Sequence, residues 1–150
     1  PDYIILSAVM ARWIMKIHLN SLLKGKENKL ISGGRLMIAL GCDHGGYELK
    51  QEIKKYLDGK GIEYKDYGCD SLDSVDYPVY AKKVAHAILD GECEKGILIC
   101  GTGIGISITA NKFKGIRAAV CTDCFTAEAT RLHNDANILC HSSNSTHKRR

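Results

Sequence analysis

"ILICGTGIGIS", residues 97–107, carries an apolar run into a cysteine and then into glycines at positions 101, 103 and 105. An apolar run without polar alternation reads as a strand buried on both faces, the kind found in parallel sheets covered by helices. The glycines that follow open a helix and leave backbone N–H groups facing outward with no side chains in the way, a place for a phosphate or an oxyanion. Cys100 stands at the junction, where that same field favours a thiolate. Three readings stay open for it: a packed thiol beside a turn, the edge of a nucleotide cradle, or an acid/base group aimed at a small substrate.

Outward from this stretch the chain keeps one rhythm. Strands are expected at 36–41 ("LMIALG"), 62–68, 96–100, 116–121 and 136–140. Helices are expected at 47–61, 76–92, about 105–112 and 123–134. In the first helix Leu49, Ile53, Tyr56 and Leu57 share a face before Gly59 and Gly61 stop it, and the second has Pro78 near its start. Strands alternating with helices predict an α/β fold: a doubly wound, Rossmann-like five-stranded parallel sheet with helices on both faces. Ligands in such sheets sit beyond the carboxyl ends of the strands. Three of those ends carry chemistry: Asp43 and His44 after the first strand, Cys100 to Gly105 after the third, and Asp123 after the fourth.

The two flanks break the rhythm and divide the chain into three parts. Residues 1–35 form an N-terminal extension, read as an amphipathic helix and a linker, because Arg12, Lys16 and Asn20 fall on one helical stripe of "YIILSAVMARWIMKIHLNSLL". Residues 36–140 form the domain proper, and residues 141–150 a polar tail. The net charge of +4 gathers in these flanks, with no basic stripe and no interleaved aromatics, which speaks against a nucleic-acid partner. The charges inside the apolar stretch speak against a membrane span. Seven cysteines, an odd number set within apolar runs, point to a reducing compartment, the cytoplasm. Cys121 and Cys124 with His133, Cys140 and His141 downstream permit a zinc site to be drawn, but Cys121 reads as the end of a buried strand and no second close pair accompanies it. No metal site is adopted.

The glycine loop alone decides little. It lacks the Lys-Ser or Lys-Thr of a mononucleotide loop, having Ile106 and Ser107 there, and its G-x-G-x-G spacing is not the dinucleotide G-x-G-x-x-G. Asp123, about twenty residues on, keeps a nucleotide-binding module as the alternative. The neighbours shift the balance. "GCDHGG" (41–46) sets a carboxylate and an imidazole side by side on the rim, where Asp43 is read either as a helix cap or as a ligand. "RLHNDAN" (131–137) ends a helix with His133 and Asn134, where a histidine also suits the helix C-terminal dipole.

With "DYP" (76–78), "ILICGTGIGISITANKFKGIRAA" (97–119) and "HNDAN" (133–137), the chain from 37 to about 139 resembles the type B ribose-5-phosphate isomerase family, whose relatives include galactose-6-phosphate isomerase subunits. The resemblance implies an aldose–ketose isomerase of the pentose phosphate pathway, working through an enediolate without metal or cofactor. Cys100 would carry the proton between C2 and C1, His133 would help open the furanose ring, and Thr102 would assist. Backbone N–H groups of Gly101, Gly103, Ile104 and Gly105 would hold the developing oxyanion. Asp43 would bind sugar hydroxyls, His44 would lie near the phosphate, Tyr77 would border the sugar and Asn134 would orient it. The resemblance further implies a homodimer with active sites shared between subunits.

The chain departs from that pattern at both ends. Where the family continues through a glycine- and arginine-bearing turn into a C-terminal helix, this chain has "CHSSNSTHKRR", so the family's phosphate-binding arginines have no counterparts and impaired activity is expected. Met37 stands where the family begins, and "ISGGRL" before it reads as a leader carried through in translation. A second account has the helix at 3–23 fold back over the sheet in place of the C-terminal one. A non-catalytic partner subunit is the remaining functional alternative.

Overall fold

The computed structural model describes Val9, Met10, Trp13 and residues 36–144. The stripe Arg12, Lys16 and Asn20, the linker and the last six residues of the tail lie outside the described residues. Five strands, β1 (Met37–Cys42), β2 (Glu63–Asp66), β3 (Lys95–Cys100), β4 (Ala118–Val120) and β5 (Ile138–Ser142), alternate with four helices, α1 (Tyr47–Lys60), α2 (Tyr77–Leu89), α3 (Ile104–Ala110) and α4 (Cys124–Asn134). Local chemistry sets the boundaries. Gly61 ends α1 in a left-handed conformation (φ 65°), its N–H returning to Asp58 and Leu57 carbonyls. Pro78 sits in the first turn of α2, where a missing N–H costs nothing. Asp123 and Thr126 form a reciprocal capping box at the start of α4.

All strand pairs are parallel, in the order β2-β1-β3-β5-β4. The expected doubly wound sheet is present, with one feature that no local signal announces: β5 inserts between β3 and β4. Two boundaries move as a result. The edge strand β4 keeps only three residues of the expected 116–121. β5 runs two residues past the expected boundary at 140, because Ile99 and Cys100 pair with His141 and Ser142.

The core has two halves, one on each face of the sheet. Ala39, Leu98, Ile138 and Cys140 face α2 and α3, meeting Ala81, Val84, Ala85, Ile106 and Ala110. Ile38, Leu40, Cys42, Ile97, Ile99 and Leu139 face the other way, toward Ile53 and Leu57 of α1 and Ala127 of α4, and Val9, Met10 and Trp13 belong to this second cluster. One buried cation fastens α1 to the sheet. Lys50 is wholly buried, its Nζ 2.6 Å from both Asp66 Oδ1 and the Cys69 carbonyl. Among the described residues no helix is long and apolar enough to cross a membrane.

Candidate functional site

The carboxyl ends of β1 and β3 lie side by side in the middle of the sheet, and the chain leaves them in opposite senses to build one mouth. Asp43 turns out of β1 into a short 3-10 turn, His44–Gly46. Its Oδ1 accepts the Gly46 N–H at 3.0 Å, and its own N–H donates to the Ile99 carbonyl at 3.2 Å. Asp43 is therefore a cap that also fastens the rim to β3. His44, half-buried, accepts the Val75 N–H on Nδ1 at 3.1 Å, which leaves Nε2 as the donor of the neutral ring. Val75 lies two residues before Tyr77, so this bond ties the "DYP" segment to the β1 rim. Tyr77 in turn lies across the glycine loop: a Cβ on Gly105 would stand 2.7 Å from its Cζ and 2.9 Å from its Oη.

Cys100 ends β3 with 4% of its surface exposed. Its Sγ accepts the Gly103 N–H at 3.1 Å, so the loop folds back onto its own cysteine. Gly103 is required there twice over. Its φ is 75°, and a Cβ would stand 3.0 Å from the His141 carbonyl carbon of β5. Thr102 is exposed and turns inward locally, its Oγ1 accepting the Ile104 N–H at 3.2 Å. Burial pushes the Cys42 and Cys121 thiols up to about 12 and the Cys140 thiol well above its ordinary range, which keeps these three neutral.

Sequence reasoning missed the third wall of this mouth. Because β5 neighbours β3, the segment after it, read as a polar tail, clasps the glycine loop. Ser143 N–H donates to the Cys100 carbonyl at 2.9 Å, and Ser142 Oγ and Asn144 N–H donate to the Gly101 carbonyl at 2.7 and 3.3 Å. A Cβ on Gly45 would lie 3.4 Å from Asp43 Oδ1 and 3.8 Å from both Gly101 N and Ser143 Oγ, so a carboxylate, an amide and a hydroxyl converge on one point. Ser143 Oγ is buried there with no hydrogen-bond partner, the state of a group that awaits a ligand or a water. The available signal was the run of polar residues directly after an apolar strand, the pattern that singled out Asp43 and His44.

Two residues expected at the site are not brought to it within the chain. His133 and Asn134 close α4, which runs back to the amino-terminal edge of the sheet, where Arg117 Nε donates to the Asn134 carbonyl at 2.6 Å and Asn137 accepts the Gly96 N–H. From Gly96 to Cys100 β3 spans about 13 Å, and His133 lies beyond its far end. Asn134 instead borders a cleft of ≈ 330 Å³ with Asn111, Arg117 and Thr130. Asp123 is also withdrawn. Its Oδ1 accepts the Thr126 N–H at 2.8 Å, it follows the edge strand, and the nucleotide reading loses its acidic partner. Among the described residues no group of three His, Cys, Asp or Glu side chains is placed to hold a metal ion.

The family model for Ribose/Galactose Isomerase matches residues 38–149. Ribose-5-phosphate isomerase B of Escherichia coli is 55% identical over 102 residues, 68% of this chain and 68% of that protein. A putative sugar phosphate isomerase of Bacillus subtilis is 56% identical over 105 residues, covering 69% of this chain and 70% of that one. Among solved structures, the ribose-5-phosphate isomerase B of Clostridium thermocellum superposes with a TM-score of 0.73 at 53% identity, covering 75% of this chain and 76% of that one.

Proposed function

Because the chain belongs to the ribose/galactose isomerase family, we propose that it is an aldose–ketose isomerase that interconverts ribose 5-phosphate and ribulose 5-phosphate. The observation that supports the reading is the convergence of Asp43 Oδ1, Gly101 N and Ser143 Oγ on one point, next in the chain to Cys100, whose sulfur accepts the Gly103 N–H at the strand end. A thiolate there takes the C2 proton of the open-chain aldose. The C–H electron pair becomes the C1=C2 bond and the aldehyde pair moves onto O1, giving an enediolate. The Gly101 and Gly105 N–H groups meet the charge as it develops, while the Gly103 and Ile104 N–H groups hold Cys100 Sγ and Thr102 Oγ1. O1 gains a proton, O2 gives one up, and the cysteine returns its proton to C1, so the sugar is rearranged and the enzyme restored. Asp43 and Tyr77 hold the hydroxyls, Thr102 orients the loop, and the His44 Nε2–H donates to the phosphate.

Ring opening needs an imidazole besides His44, and one chain does not bring His133 to its own Cys100. We assign that task to His133 of a second copy, in a homodimer whose sites are shared, with Asn134 beside it. Ile104 (55% exposed) and Ile108 (54% exposed) flank the glycine loop as an apolar rim for such a partner to cover. The cytoplasm is the proposed location: all seven thiols are free, and a reducing compartment keeps them so.

Turnover of ribose 5-phosphate by the intact chain, beside a version beginning at Met37, tests the activity. Mixing Cys100→Ser and His133→Asn chains tests the sharing. Each variant alone is inactive on the cyclic sugar, and in a random mixture roughly a quarter of the sites regain both groups. A mixture as inactive as its components refutes the shared site, and an inactive intact chain that binds no sugar phosphate refutes the isomerase reading.

A further inference from the structure

Val9, Met10 and Trp13 are helical and 0%, 1% and 0% exposed, which sets them among the most buried side chains of the protein. Their spacing of i, i+1 and i+4 places all three on one side of a helix. The cluster they join is the one that receives Leu40 and Cys42 of β1, Ile97 and Ile99 of β3 and Leu139 of β5.

The two faces of the sheet are covered unequally by the helices of the α/β repeat. On one face α2 and α3 both lie close against the strands. On the other, α1 lies against β1, β2 and β3, while α4 buries Ala127, Thr130 and Arg131 and packs Cys124 against the cluster. Small and polar residues do not fill the space above Ile99 and Leu139. A tryptophan and a methionine have the volume for it, and methionine adapts to an irregular gap.

Two polar groups on this side of the sheet are left unsatisfied. Trp13 Nε1 is buried without a partner, and so is His141 Nε2. Leu139 belongs to this face and Cys140 to the other, so strand alternation returns His141 to the Trp13 side. His141 Nδ1 lies 2.6 Å from the Cys121 carbonyl and donates to it, which leaves Nε2 as the acceptor of the neutral ring.

We propose that the α1/α4 face of the sheet is a docking surface for a short apolar helix and that its occupant is this chain's own segment containing Val9, Met10 and Trp13, which completes the core in cis. The segment is thereby a structural part of the 36–144 domain and supports the site from behind, since Cys42 of the shared cluster directly precedes Asp43. The inference is independent of the reaction the site performs.

Trp13 is the single tryptophan of the chain, so its fluorescence reports the docking directly. In the intact protein its emission is expected to be blue-shifted and shielded from acrylamide, both lost together at the melting transition. Trp13→Ala is expected to lower the melting temperature by about 10 °C, and Trp13→Phe by less. Removal of residues 1–35 is expected to expose dye-binding apolar surface or to prevent folding. Water-like emission from the folded chain overturns the proposal, as does a Trp13→Ala variant or a 1–35 deletion that melts with the parent. Trp13 is expected to stay shielded in chains diluted until they are monomers, and loss of that shielding on dilution overturns the assignment in cis, because a second copy then donates the helix.

Discussion

Replacing Cys100 separates its two roles, because the same sulfur is the proposed base and the acceptor of the Gly103 N–H. Cys100→Ala removes both. The lost sulfur leaves a small void in a site 4% exposed, costing about 1 kcal/mol, and the unpaired amide costs about 1 kcal/mol more. Cys100→Ser keeps an acceptor for Gly103, so its stability should stay within about 1 kcal/mol of the parent. An unassisted hydroxyl is nevertheless a poor base or nucleophile near neutral pH. A positioned acid/base group contributes about 10²- to 10⁴-fold, equivalent to about 3–5 kcal/mol in the barrier. Both variants should therefore lose that factor in kcat, with KM little changed, and both should stop exchanging the C2 hydrogen of ribose 5-phosphate with D2O. The assay is the rate of ribulose 5-phosphate formation beside proton NMR of the exchange, with urea melts to confirm folding. A folded Cys100→Ser chain that keeps more than about a tenth of the parental kcat refutes the proton-transfer role.

Three further outcomes test other parts of the structure. Lys50→Ala takes the buried cation from Asp66, which keeps Lys54 and the Gly68 N–H, and leaves the Cys69 carbonyl without its Nζ partner beside a buried gap; it should cost about 3 kcal/mol in urea unfolding, whereas Lys54→Ala, which removes a partly exposed contact to the same carboxylate, should cost under about 1 kcal/mol. Burial holds the His141 ring below its ordinary value of 6.5, so the unfolded chain takes up a proton that the folded chain resists. Stability present above that pH should fall as the pH drops below it toward the folded value, and His141→Phe should flatten this part of the profile. Ser143→Ala leaves its backbone bond to Cys100 in place and removes only the unpartnered hydroxyl. It should raise KM by about fivefold to tenfold without shifting the melting temperature, and an unchanged KM would detach Ser143 from the site.

Much of this site was written in local sequence. The apolar run into Cys100 and the glycines after it mark a buried strand and an open loop because side-chain period and glycine freedom are properties of a few consecutive residues. The same locality made Asp43 legible as a cap, and the Oδ1 bond to Gly46 N–H is that cap. It also hid a second role for Asp123, whose capping box uses the carboxylate that the nucleotide reading needed.

Strand adjacency is of another kind. Whether β4 or β5 lies beside β3 is decided by which arrangement best covers both faces of the sheet, a sum over the whole core to which no single segment holds the answer. That choice carried Ser142, Ser143 and Asn144 from an apparent tail to the wall of the site and moved Asp123 to the edge. The burial of Val9, Met10 and Trp13 belongs with it. An apolar helical stripe states that a partner surface is needed, and only the packed sheet, with one face thinly covered, shows where that surface is. By itself the sequence determined the elements and placed Cys100 at a strand end with a glycine loop after it. The tertiary structure alone decided which ends meet, because neighbours across a sheet are chosen by the packing of the entire molecule.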